Sequence, residues 1–75
     1  MEIVVYTLPI CPNCDKFKQS LNDHAIPYTT RDLEDDDVRM ELLMESVTLV
    51  EAPIICIDGT YMNKVDAEKM LYGSS

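Results

Sequence analysis

The 75-residue sequence has no tryptophan, one phenylalanine, one histidine and two glycines, and its six Lys and Arg are outnumbered by fourteen Asp and Glu. The shortage of positive charge excludes the most. Nucleic-acid backbones and anionic lipid are held by clustered Lys and Arg, and a net charge of −8 works against both. Neither nucleic acid nor a membrane is expected as a partner; the acidic field favours a protein with a basic docking patch. Scarce glycine and the lack of low-complexity runs, beside 47% hydrophobic residues, argue against a disordered chain. No stretch approaches the length of a transmembrane helix. The N-terminus, Met1-Glu2-Ile3-Val4-Val5-Tyr6, lacks the basic and long apolar regions of a secretory signal. The expectation is a cytoplasmic monomer with residues 1–75 as one domain, a size at which a single hydrophobic core is only just sufficient.

Cysteine is also sparse: Cys11, Cys14 and Cys56. An odd number in a reducing compartment does not make a disulfide scaffold, so these thiols are catalytic, metal-binding or buried.

Ile3-Val4-Val5-Tyr6-Thr7 is a short β-rich run closed by Pro9, and reads as a buried first strand leading into a loop that carries Cys11-Pro12-Asn13-Cys14. From Pro12 to about Asp23 the pattern becomes helical. Cys14, Phe17 and Leu21 share one face, and Lys16, Gln19, Asn22 and Asp23 the other. Proline suits the first helical turn, which places Cys11 at the helix entrance. Ile26 to Arg31 is expected to form a second strand, at an edge because of Pro27. Asp32 to Asp37 precede Met40, Leu43, Met44 and Val47 at helical spacing; the aspartates read as a helix start and not as a calcium loop, and the methionines as core. Residues 48–51 read as a connection. Pro53 to Ile57 reads as a central strand buried on both faces, with Asp58-Gly59 turning the chain into Thr60-Tyr61-Met62. Val65 to Tyr72 reads as a closing helix with Asp66 near its start, followed by a frayed tail from Gly73. The order is β-α-β-α-β-β-α: an α/β fold with a four-stranded mixed sheet and three helices.

Two cysteines separated by two residues can close a disulfide across one helical turn. At a helix entrance Cys11 meets unpaired backbone N–H groups and the positive end of the dipole, and both favour a thiolate over the free thiol, whose pKa is about 8.5. The thiolate is the nucleophile in disulfide exchange. Cys14, one turn deeper on the apolar face, would remain a thiol until it attacks the mixed disulfide. The bland alternatives are half of a zinc site, for which only Cys56 and His24 remain as further ligands, and a purely structural pair. Cys56 itself reads as a small core hydrophobe, against the alternative of a third redox thiol.

In this setting the chain resembles a glutaredoxin. The likeness rests on Val5-Tyr6-Thr7 followed by Cys11-Pro12-Asn13-Cys14, on Glu51-Ala52-Pro53, and on Ile57-Asp58-Gly59 leading to Asp66. It implies a thioredoxin fold and a thiol–disulfide oxidoreductase that reduces protein or glutathione mixed disulfides. It extends to the short glutaredoxin-like proteins with thioredoxin-type activity that supply electrons to ribonucleotide reductase. The likeness makes Cys11 and Cys14 catalytic, with Pro12 and Asn13 facing the substrate between them. It makes Pro53 a cis proline opposite the pair, the backbone of Ala52 a partner for an extended substrate, and Val65 and Asp66 the holders of the γ-glutamyl end of glutathione. No bound cofactor or metal is implied; glutathione is a co-substrate, and glutathione or a thioredoxin reductase is the electron source.

The sequence departs from the family pattern in places. A basic residue is usual where Leu8 stands, a tyrosine where Asn13 stands, and a Gly-Gly pair where Asn63-Lys64 stands, while the usual neighbour of the matching acid is replaced by Ala67. Glutathione is an anion, so a protein at −8 without a cation at position 8 is expected to hold it less well. Two other readings belong to different classes: an iron–sulfur module that shares its cluster between subunits through the first cysteine and glutathione, and a non-catalytic adaptor.

Overall fold

The computed structural model describes residues 2–47 and 52–73. The elements are β1 (Ile3–Thr7), α1 (Pro12–Asp23), β2 (Thr29–Asp32), α2 (Asp36–Met44), β3 (Ile54–Ile57), β4 (Thr60–Met62) and α3 (Lys64–Tyr72). The sheet order is β2-β1-β3-β4. β1 pairs with β2 in parallel, Val4 opposite Thr29, as a strand–helix–strand crossover requires. β1 and β3 are antiparallel with Val5 opposite Ile55, and β3 and β4 are antiparallel with Cys56 opposite Tyr61.

Alternation along the two central strands divides the core between the faces of the sheet. Ile3, Val5, Ile55 and Ile57 point to one face, where they meet Phe17 and Leu21 of α1 and Ala67 of α3. Tyr6, Ile54 and Cys56 point to the other and meet Val38 and Leu42 of α2. The unbroken apolar run of β3 follows from this, because each of its residues is buried against one helical layer or the other. Burial, helped by the neighbouring Tyr61 hydroxyl, pushes the Tyr6 phenol up to about 12.

At the β3–β4 turn both residues take left-handed backbone, Asp58 with φ 50° and Gly59 with φ 89°, as a two-residue hairpin demands. The turn is tied to the start of β1: the Glu2 N–H donates to Asp58 Oδ1 at 2.8 Å and the Asp58 N–H to the Glu2 carbonyl at 2.9 Å.

Several expectations are corrected. β2 begins at Thr29, not Ile26, because Pro27 has no N–H for a ladder and the chain is still crossing from the end of α1, where the Ile26 N–H bonds to the Leu21 carbonyl. On α2 the buried pair is Val38 and Leu42, at i and i+4; Met40, Leu43 and Met44 are exposed by 59%, 71% and 79% and are not core. Met70 is likewise exposed. The helix lies with its Val38–Leu42 stripe on the sheet, and flexible methionines carried no signal of which face that would be. Asp35 is the N-cap of α2, its carboxylate accepting the Asp37 N–H at 2.9 Å, and an Arg31–Glu41 ion pair ties β2 to the helix. α3 begins one residue early, at Lys64, capped by Asn63 with Asp66 in its first turn, while Gly73 is a left-handed C-cap and not a loose end. The connection read over residues 48–51 lies outside the described residues.

Candidate active site

α1 starts where β1 and its loop deliver the chain, and Cys11 is its N-cap with extended backbone (φ −150°, ψ 95°). That conformation turns the side chain back over the first turn. Its Sγ accepts the Cys14 N–H at 3.1 Å, taking the place that a serine or aspartate oxygen has in an ordinary cap. The Cys11 carbonyl accepts the Asp15 N–H at 3.0 Å and begins the helical ladder. Pro12 at the first helical position needs no partner for a missing N–H.

The two sulfurs differ sharply in environment. Cys11 is half-buried at the surface, whereas Cys14 has no exposure and sits at the head of the stripe that continues through Phe17 and Leu21. They are joined by a disulfide with Cα atoms 5.2 Å apart. A reagent from solvent can therefore meet Cys11 but not Cys14. The nearby charges on α1 include Asp15 and Lys18, paired at 3.6 Å on the exposed side of the helix.

The remaining expected site residues arrive from β3 and α3. The Ala52–Pro53 peptide bond is cis, Pro53 is buried and Ala52 half-buried. Asn13, Ala52, Pro53, Asn63, Lys64 and Val65 line a groove of about 270 Å³. A shallower hollow beside it is lined by Leu8, Ile10, Cys11, Pro12, Asn13 and Ala52. Asn13 and Ala52 belong to both, so Cys11, Pro12, Asn13, Ala52, Pro53 and Val65 are brought around one continuous depression. Asp66 is exposed on the first turn of α3 and does not line the groove; its N–H is held by Asn63 Oδ1 at 2.8 Å.

Two features of this surface were not read from the sequence. Ile10 is 92% exposed and Leu8 39%, which gives the approach to Cys11 an apolar rim. Apolar residues on both sides of Pro9 were the available signal. The other is the pairing of Lys64, a residue that lines the groove: its ammonium donates to Glu68 Oε1 at 2.7 Å one turn along α3.

Cys56 is buried in the α2-side core, on the opposite face of the sheet from Phe17 and Leu21, and is a free thiol. His24 caps the far end of α1, stacked on Tyr72 with ring centroids 4.4 Å apart. Among the described residues no group of three or more His, Cys, Asp and Glu side chains is placed to share a metal ion, and no described helix is long and apolar enough to cross a membrane.

Comparison with known proteins agrees with this geometry. The glutaredoxin family model matches residues 3–62. An uncharacterised glutaredoxin-like 8.6 kDa protein of the rubredoxin operon of Clostridium pasteurianum is 29% identical over 72 residues, covering 92% of this chain and 96% of its own. The crystal structure of the thioredoxin-like protein BC3987 superposes with a TM-score of 0.75 at 28% identity, over 95% of this chain and 97% of that one. The glutaredoxin-like NrdH-redoxin from Escherichia coli, described as having a thioredoxin-like activity profile, superposes over the whole of both chains with a TM-score of 0.76 at 16% identity, a likeness of fold.

Proposed function

Since this chain belongs to the glutaredoxin family, we propose that it is a dithiol–disulfide oxidoreductase that reduces protein disulfides through Cys11 and Cys14. The observation that carries this reading is the N-cap sulfur: Cys11 is half-buried at the mouth of the hollow and its Sγ already accepts a backbone N–H of the helix at 3.1 Å. An ionised sulfur there gains from that donor and from the helix dipole.

In the reduced protein the Cys11 thiolate attacks one sulfur of the substrate disulfide, forming a mixed disulfide and releasing the other sulfur as a thiolate that water protonates. The Cys14 thiol then loses its proton and attacks Cys11 Sγ. The second substrate thiolate leaves, and the Cys11–Cys14 disulfide seen here remains. Two electrons pass from the protein dithiol to the substrate. Cys14 serves as the resolving thiol because it is closed to solvent and already adjacent to Cys11, their Cα atoms 5.2 Å apart. Substrate backbone running past cis-Pro53 can pair with Ala52, strand fashion, which presents the scissile bond beside Cys11.

The rim of Leu8 and Ile10 favours a protein-borne disulfide over a small hydrophilic one, and a thioredoxin reductase over glutathione as the source of electrons. Reduction potentials of such pairs run from roughly −200 to −270 mV, reducing enough for this work in the cytoplasm. Ribonucleotide reductase is the substrate that the resemblance to short electron donors brings forward. The test is insulin reduction driven by NADPH, with thioredoxin reductase in one arm and glutathione with its reductase in the other. Faster turnover with thioredoxin reductase is expected; turnover sustained by glutathione alone would reverse the assignment of the donor.

A further inference from the structure

The groove beside Cys11 offers an anion two handholds, and both are weakened from within the chain. Its only cation among the described lining residues is Lys64, whose Nζ is held by Glu68 Oε1 at 2.7 Å, with both side chains about one-third exposed. The other is the N-terminus of α3, which borders the groove. There the Asp66 N–H is taken by Asn63 Oδ1 at 2.8 Å, and the Asp66 carboxylate adds a negative charge to the first turn. On a chain at −8, the groove's one cation among the described lining residues is thus taken by a carboxylate, and the helix end beside it has one N–H fewer to offer.

Resting on the oxidoreductase reading above, we infer that Glu68, by holding Lys64, sets the charge preference of the site against anionic disulfides and toward neutral or cationic ones. The substrate class is then a disulfide flanked by uncharged or basic residues. Glu68 acts through Lys64 and touches no substrate; it is a positioning residue. Asn63 has the same sense, since the cap it provides occupies an amide that a ligand carboxylate would otherwise take.

The step involved is the exchange already described, with two small thiols released for each dithiol oxidised, so its rate can be read with simple disulfides of graded charge. Prereduced, desalted protein is mixed with cystamine (cationic), bis(2-hydroxyethyl) disulfide (neutral) or glutathione disulfide (anionic). Samples are acid-quenched, alkylated and weighed by mass spectrometry. Each rate is divided by that of 2-mercaptoethanol with the same disulfide, which removes intrinsic reactivity. In wild type at low salt the order is cystamine, then the neutral disulfide, then glutathione disulfide.

Glu68→Gln frees the Lys64 ammonium, and the ratio of glutathione disulfide to neutral disulfide rises about three- to fivefold, the effect of one exposed unit charge a few ångströms from the substrate. The gain collapses in about 1 M salt, where screening extends only about 3 Å. The double variant K64Q/E68Q has the wild-type net charge and loses the gain, which separates Lys64 from a general change of field. An unchanged ratio in E68Q, in protein that reduces the neutral disulfide normally, overturns the inference and leaves the redox reading standing. A gain that survives in K64Q/E68Q also overturns it. If wild type reduces none of the three disulfides, the redox reading itself fails and takes the inference with it.

Discussion

Replacing Cys11 with serine is expected to lower disulfide reduction more than about a thousandfold, the scale on which loss of a catalytic nucleophile acts, with the far-UV circular dichroism and melting temperature of the reduced protein nearly unchanged. A hydroxyl in the N-cap position is itself a good cap, so the helix keeps its start while the chemistry loses its nucleophile. Cys14→Ser should behave differently. Cys11 can still attack, but nothing is left to resolve the mixed disulfide, so the substrate half remains attached. Mass spectrometry would show one adduct per chain, released by dithiothreitol. Free turnover by Cys14→Ser with a protein substrate, or an adduct on Cys14 in the Cys11→Ser protein, would contradict the division of roles. That division follows from burial: Cys14 has no exposed surface and Cys11 does.

The second large effect lies in the core that presents the pair. Phe17 is 1% exposed, one turn beyond Cys14, and packs with Ile3, Val5, Leu21, Ile55 and Ile57. Phe17→Ala removes an aromatic ring at a site closed on several sides, a change that costs about 3–5 kcal/mol. A chain of this length has roughly 4–11 kcal/mol of stability in all. A fall in melting temperature of about 15 °C or more is expected, since each kcal/mol corresponds to about 4–8 °C in a domain of this size. Activity should follow the folded fraction: lost where the variant is unfolded, and recovered on cooling into its native range. A variant that melts within a few degrees of wild type would show that α1 is not anchored to the sheet by this stripe. The contrast with Cys11→Ser separates the two layers of the account, since one change removes chemistry from an intact fold and the other removes the fold from intact chemistry.

Much of this was legible in the residues. β1, α1 and the β3–β4 hairpin carry unambiguous local signals: a short β-rich run, proline at a helix start ahead of Cys14, Phe17 and Leu21, and Asp58-Gly59 between apolar segments. The order of elements followed, and with it the placement of Cys11 at a helix entrance. α2 was harder. Its sequence offers Met40, Leu43 and Met44 as one candidate stripe and Val38 with Leu42 as another, and only the packing against Tyr6, Ile54 and Cys56 decides between them. The start of β2 was misplaced because Ile26 and Tyr28 look like strand residues but pack instead against the edge of the α1-side core.

At the site, the cysteines and the cis-Pro53 turn were read from pattern and resemblance. The Glu68 hold on Lys64 was not, because an acid and a base four residues apart on a helix are too common to mark a function. Nor did the sequence show that Leu8 and Ile10 would stand out from the surface, since apolar residues near a proline are as often buried. Asp66 illustrates the converse. Resemblance makes it a holder of glutathione; in the structure it is exposed on the first turn of α3 with its N–H capped by Asn63, and it is not among the residues that line the groove. Its expected part in holding glutathione rests on resemblance alone.

The most direct measurement of the central claim is the rate of Cys11 alkylation by iodoacetamide as a function of pH, in reduced Cys14→Ser protein, with the labelled peptide identified by mass spectrometry so that buried Cys56 does not contribute. The rate reports the thiolate fraction. Because the N-cap sulfur faces a helix N–H and the positive end of the dipole, half-maximal reactivity should fall below the free-cysteine value of about 8.5. A midpoint at or above that value would mean that the helix does not favour the ionised sulfur, and the assignment of Cys11 as the attacking thiolate would be contradicted.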